Sequence, residues 1–272
     1  RADPDGELVE LRGDDGQPLV PPVMVPRLPE DEGPFYRLYP EGRMAAHVLG
    51  FSAQNGDGQM GVEKVLNARL KDPDQRAIPV ALSLDARVQA ALEFELQKGM
   101  DLTAAKGATG IILDVQTGEV MAMATLPAFN PNKVTAADIA IQSNGVTNSV
   151  YELGSTFKPI TIAAALDAGT VRNLALRYDA TAPLQVDGFK IRDSHPSGRW
   201  LNVPETLVHS SNIVTARIAD NMGKEKLMGT MRALDFDKRP AIELAERGMV
   251  LWPKSWGRVT NMAVGFGHGI AV

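Results

Sequence analysis

The sequence predicts an α+β domain with a mostly antiparallel sheet, on the strength of one hairpin and the helical segments on either side of it. The hairpin joins Gly110 to Val115 and Glu119 to Thr125 through the turn Gln116-Thr117-Gly118, two β-rich runs separated by turn residues. Ahead of it, Val80 to Leu84 is strand-like. Asp85 is placed to cap a helix running to about Ala105, with Val88, Leu92 and Leu96 on one stripe. A shorter helical pattern covers residues 61–70. After the hairpin comes an apolar, alanine-rich helix through Ile160 to Leu166, then a loop-rich insertion from Asn173 to Asn202. Helices follow at Val203 to Val208, Asn212 to Met222 and Lys224 to about Leu234. Residues 1–40 are rich in Pro, Gly, Asp and Glu, with short apolar runs such as Val23 to Val25. They read as peripheral extended segments and loops. The polar stretch Lys71 to Arg76 marks the candidate domain boundary.

At 272 residues the chain is long enough for one large domain or two smaller ones. A hydrophobic share of 44% and a charged share of 22% are those of an ordinary globular protein. The net charge of −5, with no Lys/Arg run, argues against a nucleic-acid-binding surface. Cysteine is absent, which excludes disulfides, thiolate catalysis and cysteine-ligated zinc. The four histidines, His47, His195, His209 and His268, show no paired metal-ligand spacing. No stretch approaches the length of apolar run that spans a bilayer. The start, Arg1-Ala2-Asp3-Pro4-Asp5-Gly6, is not a signal peptide and lacks an initiator methionine, so the chain is expected to be part of something longer.

The chemistry-bearing segment is Tyr151-Glu152-Leu153-Gly154-Ser155-Thr156-Phe157-Lys158-Pro159. Residues three apart share a helix face, so Lys158 can reach the Ser155 oxygen. Pro159 is tolerated if Ser155 opens the helix, because the first N–H groups there have no intrahelical partner. A serine at that position also sits in a positive backbone field. Taken alone, Ser-x-x-Lys is weak: with ten serines, and lysine at about 4% of positions, chance supplies it roughly 0.4 times. The bland alternative is a helix cap beside a solvated lysine. A downstream partner raises the functional reading, since Ser210-Ser211-Asn212 is the one Ser-x-Asn and falls at a break between two helical patterns. Its bland alternative is Ser210 or Asn212 capping the next helix. Together the two motifs match a pair used by serine acyl-transferases that open β-lactams. Two decoys fall away. Gly56-Asp57-Gly58-Gln59-Met60-Gly61 is a literal G-x-G-x-x-G, but Ser52 to Asn55 separate it from any preceding strand, so it is no nucleotide fingerprint. Asp193-Ser194-His195 has triad residue types, but adjacency in sequence does not give triad geometry, and a loop role is expected.

Around both motifs the chain resembles a class B penicillin-binding protein. The resemblance is carried in collinear order by Tyr39 to Phe51, Gly61-Val62-Glu63-Lys64, Leu82-Ser83-Leu84-Asp85, Leu113 to Met123, Tyr151 to Lys158, His209 to Ile213 and Gly265 to Ile270. It covers roughly residues 35–272, and the Gly-Phe-Gly-His-Gly and Leu-Gly-Phe segments look most like the division-specific (FtsI-type) branch. It implies a β-lactamase-like transpeptidase domain at 77–272, an antiparallel sheet flanked by helices and C-terminally incomplete. Residues 1–76 would be part of an extended N-terminal pedestal domain. It implies that Ser155 is acylated by D-Ala-D-Ala stem peptides and by β-lactam antibiotics, and that a second stem peptide resolves the ester to form a cross-link. Lys158 would be the base, Ser210 the proton relay, and Asn212 would bind the substrate backbone and hold Lys158 in place. No cofactor or metal is implied. The implied partners are a membrane glycosyltransferase and other division proteins, and the implied location is the bacterial inner membrane, with a periplasmic catalytic domain and an N-terminal anchor absent here.

The family's third motif, Lys-Ser/Thr-Gly, is absent from the 272 residues, and Lys254-Ser255-Trp256 lacks its glycine. The strand bearing that motif normally supplies half of the oxyanion hole, beside the Ser155 N–H. Loss of one such donor costs about 10²–10³ in rate, so the chain as it stands is expected to be poorly active. Leu153 stands where many relatives have proline, a change expected to be tolerated. The alternatives are an elongation-specific transpeptidase, a β-lactamase or carboxypeptidase in which water replaces the acceptor amine, and a β-lactam sensor or non-catalytic division scaffold.

Overall fold

A computed structural model describes residues 7–9, 23–25 and 37–272; the rest of the reading of residues 1–40 lies outside the described residues. Strands β1 (Glu7–Val9) and β2 (Val23–Val25) pair antiparallel. Three short helices follow, α1 (Ala46–Leu49), α2 (Gly61–Val65) and α3 (Asn67–Lys71). The single helix expected over residues 61–70 is thus broken at Leu66 (φ −95°, ψ 11°). The next residue turns its side chain away from the helix, with Asn67 Oδ1 accepting from Gly58 N–H at 2.9 Å. The Asn67 side chain thereby ties the break to the loop that precedes α2.

Helix α4 (Ala86–Thr103) starts where the sequence placed it, with the Asp85 carboxylate accepting from the N–H groups of Arg87 and Val88. It packs on the antiparallel hairpin of β3 (Ala108–Leu113) and β4 (Val120–Leu126). Gly110 permits the close approach, because a Cβ there would lie 2.8 Å from Leu92 Cδ1 and 3.2 Å from Leu96 Cδ1. The first strand ends before Val115 because Asp114 opens the turn: its N–H still pairs with Glu119 O, but its carboxylate accepts from Gln116 and Thr117 N–H, and its carbonyl from Gly118 N–H.

The strand expected at residues 80–84 is not formed. Only the end of this segment reaches β4, through Ser83 Oγ on Val120 O (2.8 Å) and Asp85 N–H on Met121 O (2.9 Å). Beyond that point the helix takes over the edge. Gln89, buried on α4, donates to Met123 O and accepts from Met123 N–H, both at 2.9 Å. A side chain thereby does the pairing that a strand would do.

A 3₁₀ turn (Gly154–Phe157) leads into α5 (Lys158–Asp167), with Pro159 in the first turn as expected. Leu153 has φ −66°, within the range a proline ring fixes, so the backbone here is compatible with either residue. The insertion expected to be loop-rich instead holds β5 (Arg177–Asp179), β6 (Leu184–Val186), β7 (Phe189–Ile191) and β8 (Trp200–Asn202), paired antiparallel as β5–β8 and β6–β7. The overlooked signal is Asp187-Gly188, both left-handed (φ 47° and 83°), a dipeptide suited to a two-residue hairpin turn. Helices α6 (Val203–Val208), α7 (Asn212–Met222) and α8 (Lys224–Ala233) lie where expected, and α9 (Arg258–Gly265) is an addition.

The main core gathers α5, α7, α8 and α9 around Phe157, Ile162, Val214, Ile218, Leu227 and Met262. Small residues bring these helices together: a Cβ on Gly265 would lie 2.6 Å from Ala219 Cβ. Polar links lock the contact, with Thr161 Oγ1 donating to Gly265 O and Asn261 Nδ2 to Ala219 O, both at 2.7 Å. No helix among the described residues is long and apolar enough to cross a membrane.

Replacing Gln89 by methionine keeps the volume but strands the N–H and C=O of Met123. Each orphaned buried group costs about 1–3 kcal/mol, so urea unfolding of Gln89→Met is expected to show a loss of about 2 kcal/mol or more.

Candidate active site

Ser155 lies on the 3₁₀ turn, exposed, behind Gly154, whose φ of +55° suits glycine. Lys158 opens α5 and is 1% exposed. Its Nζ donates to Ser155 Oγ at 3.0 Å, to Ser210 O at 2.6 Å and to Ser210 Oγ at 2.8 Å. Ser210 Oγ in turn lies 3.0 Å from Ser155 Oγ. The two motifs, 52 residues apart along the chain, therefore close into a triangle of one amine and two hydroxyls.

Ser210 has φ +51°, a left-handed conformation between α6 and α7 that turns its hydroxyl and carbonyl toward the lysine. The cap of α7 is neither Ser210 nor Asn212. It is Ser211, whose Oγ accepts from Val214 N–H at 3.1 Å. Asn212 does not hold Lys158: the acceptors of Nζ belong to Ser155 and Ser210. Its amide donates instead to Arg192 O at 2.9 Å. The reason is directional. Asn212 is the first residue of α7, two residues past the Ser210 that faces the lysine, and its side chain reaches the β7–β8 loop.

The same loop supplies a residue that sequence reasoning missed. Asp193 is buried at 8% exposure and accepts from Ser211 Oγ (2.8 Å) and from Ile213 N–H (3.0 Å). It is a loop residue, as expected, and its position beneath the Ser210 turn gives it an electrostatic part as well. Burial pushes the Lys158 amine below the ordinary lysine range, and the Asp193 charge pulls the other way, with burial the larger effect. The Asp-Ser-His text offered no sign of this, because it depends on which side chain the fold buries. His209 Nε2 accepts from the Arg199 guanidinium at 3.2 Å, and Arg199 also pairs with Glu205. The His47 ring, buried against Phe129, bonds Ile141 O at 2.6 Å. Among the described residues, no group of His, Asp and Glu could hold a metal ion.

Chemically, the triangle suits acyl transfer. Burial makes the Lys158 proton easier to lose, and the amine, once neutral, can take the proton of the Ser155 hydroxyl 3.0 Å away. The bridging Ser210 hydroxyl touches both and can pass a proton onward.

The sequence pattern of the penicillin binding protein transpeptidase domain matches residues 108–272. The chain belongs to this family. It is 39% identical, over 87% of its length, to the probable peptidoglycan D,D-transpeptidase FtsI of Caulobacter vibrioides, and covers 40% of that protein. It is 30% identical, again over 87% of its length, to the peptidoglycan D,D-transpeptidase FtsI of Escherichia coli, and covers 44% of it. The chain thus spans less than half the length of these relatives. Among solved structures, penicillin binding protein 3 of Mycobacterium tuberculosis superimposes with a TM-score of 0.75 at 25% identity, over 87% of this chain and 55% of that one. The family match confirms the α+β transpeptidase domain expected from the sequence.

Removing the Asp193 charge withdraws the influence that favours the ammonium, so the Lys158 pKa falls further in Asp193→Asn. In a ¹³C-lysine NMR titration, Lys158 is expected to titrate below the exposed lysines, and to move to still lower pH in the variant.

Proposed function

We propose that this chain is the catalytic part of a serine-type peptidoglycan D,D-transpeptidase that cross-links stem peptides during septal wall synthesis. The observation that carries the reading is the buried Lys158 amine, bonded at once to Ser155 and Ser210. Ser155 Oγ attacks the penultimate D-Ala carbonyl as Lys158 takes its proton. Ser210 hands that proton to the leaving D-alanine, and an ester forms on Ser155. An amine from a second stem peptide then attacks the ester and releases the cross-linked product. The Ser155 N–H supplies one oxyanion donor. Asn212, anchored on Arg192 O, lines the substrate strand. β-Lactams acylate the same serine, since their strained amide offers the same carbonyl; penicillin binding protein 3 of M. tuberculosis, of like fold, is solved with aztreonam and with ampicillin.

The division-specific branch is favoured by the named relatives from C. vibrioides and E. coli. In this reading residues 1–76 belong to a pedestal domain. The full-length gene product is anchored in the inner membrane with its catalytic domain in the periplasm, beside a glycosyltransferase and other division proteins.

Fluorescent penicillin tests the nucleophile. The full-length gene product is expected to label stoichiometrically, and Ser155→Ala not at all; labelling that survives in Ser155→Ala removes the assignment. Lys158→Ala is expected to slow acylation by about 10²–10⁴, the usual reach of a general base. Depletion in the cell is expected to give filaments, whereas rounded cells would assign the enzyme to elongation.

A further inference from the structure

The turn that carries Ser155 is clamped along one side by residues 267–272. Tyr151 and Val272 exchange both backbone hydrogen bonds, at 3.0 and 3.1 Å, and Gly154 N–H donates to Gly267 O at 3.0 Å. Between them, the Glu152 carboxylate accepts from Gly269 N–H at 2.7 Å. The segment thus runs antiparallel to residues 151–154, and a side chain makes its middle bond. The fit demands glycine: Gly267 has φ +82°, and a Cβ there would lie 2.1 Å from Gly154 O.

The segment is also the exit of α9, which is fixed to α5 through Thr161 and to α7 through the Gly265–Ala219 contact. Helix α7 begins at Asn212, directly after the Ser210 turn. The clamp therefore ties the Ser155 turn to the block of helices that holds Ser210. Within the turn itself, the Thr156 hydroxyl bonds only locally, to Leu153 O.

Resting on the reading of Ser155 as the nucleophile, we propose that Glu152 is a positioning residue. Its bond to Gly269 N–H holds the turn where Ser155 Oγ meets both Lys158 Nζ and Ser210 Oγ. Glu152 is not among the hydrogen-bond partners of Ser155 or Lys158, so it acts through the backbone. Both contacts of the Ser155 hydroxyl sit at 3.0 Å, and a shift of the turn lengthens them together.

The test is stopped-flow acylation of the full-length gene product by a fluorescent penicillin, resolved into Kd for the encounter complex and the rate constant of acylation. A displacement of about 1 Å costs up to about 10² in rate, so Glu152→Ala is expected to lower the rate constant about 10-fold or more. Kd and Tm should hold, because Glu152 is exposed and its loss opens no cavity. Glu152→Gln keeps an oxygen that accepts the same N–H, and is expected to recover most of the rate. A wild-type rate in Glu152→Ala, or a Glu152→Gln as slow as Glu152→Ala, overturns the positioning role. A slow Gly267→Ala with unchanged Kd supports the clamp from its backbone side; a wild-type rate there overturns it. Failure of the unmodified protein to label at Ser155 sinks the nucleophile reading instead, so the two failures are distinct.

Discussion

The site is organised by the burial of one ammonium-bearing side chain. Taking a lysine out of water is costly unless its donors find acceptors or its charge is given up. Here the stem of Lys158 is enclosed by the helical core, and its Nζ is met by Ser155 Oγ and by the hydroxyl and carbonyl of Ser210. Those acceptors explain how an amine can be buried at all. They are also the groups on which an acyl-transfer reaction operates. Structural satisfaction and chemical readiness are the same set of contacts, so the turns at 155 and 210 cannot drift apart without leaving a buried amine unpartnered.

Several features serve that arrangement from outside it. The left-handed backbone at Ser210 is held by the residue after it, since Ser211 caps α7 and at the same time donates to Asp193. Asp193 thus does two things of opposite sign for the amine. It fixes the turn that presents Ser210, and its charge favours the protonated lysine against the effect of burial. The balance leaves burial ahead, so the amine gives up its proton more readily than a lysine in water. The close packing of α5, α7 and α9 through Ala219 and Gly265 keeps the elements carrying both motifs at one distance.

Much of this was legible in the sequence, and the limits are physical. Local signals performed well: the Asp85 cap, the hairpin, and the helices beginning at Val203, Asn212 and Lys224 appear where propensity and spacing put them. The two motifs supplied the members of the triangle, and the tertiary fold supplied their meeting. Failures came where a side chain replaced backbone pairing, as Gln89 does beside residues 80–84, or where a turn signal was overlooked, as at Asp187-Gly188. The family resemblance implies that Asn212 holds the lysine, yet two residues beyond Ser210, at the start of α7, its amide meets Arg192 O. Asp193 and Glu152 were illegible as contributors, since their partners lie 18 and 117 residues away.

The way Gln89 occupies the outer side of β4 gives the central hairpin a polarity. A bare strand margin is an invitation to any chain with free backbone groups, including another copy of the same protein. On the β4 side that invitation is withdrawn, because an incoming strand would have to dislodge a buried amide and the helix that carries it. Growth of the sheet is therefore confined to the β3 margin. Whatever strand is added to this hairpin, from the same polypeptide or from another, has only that direction in which to extend it.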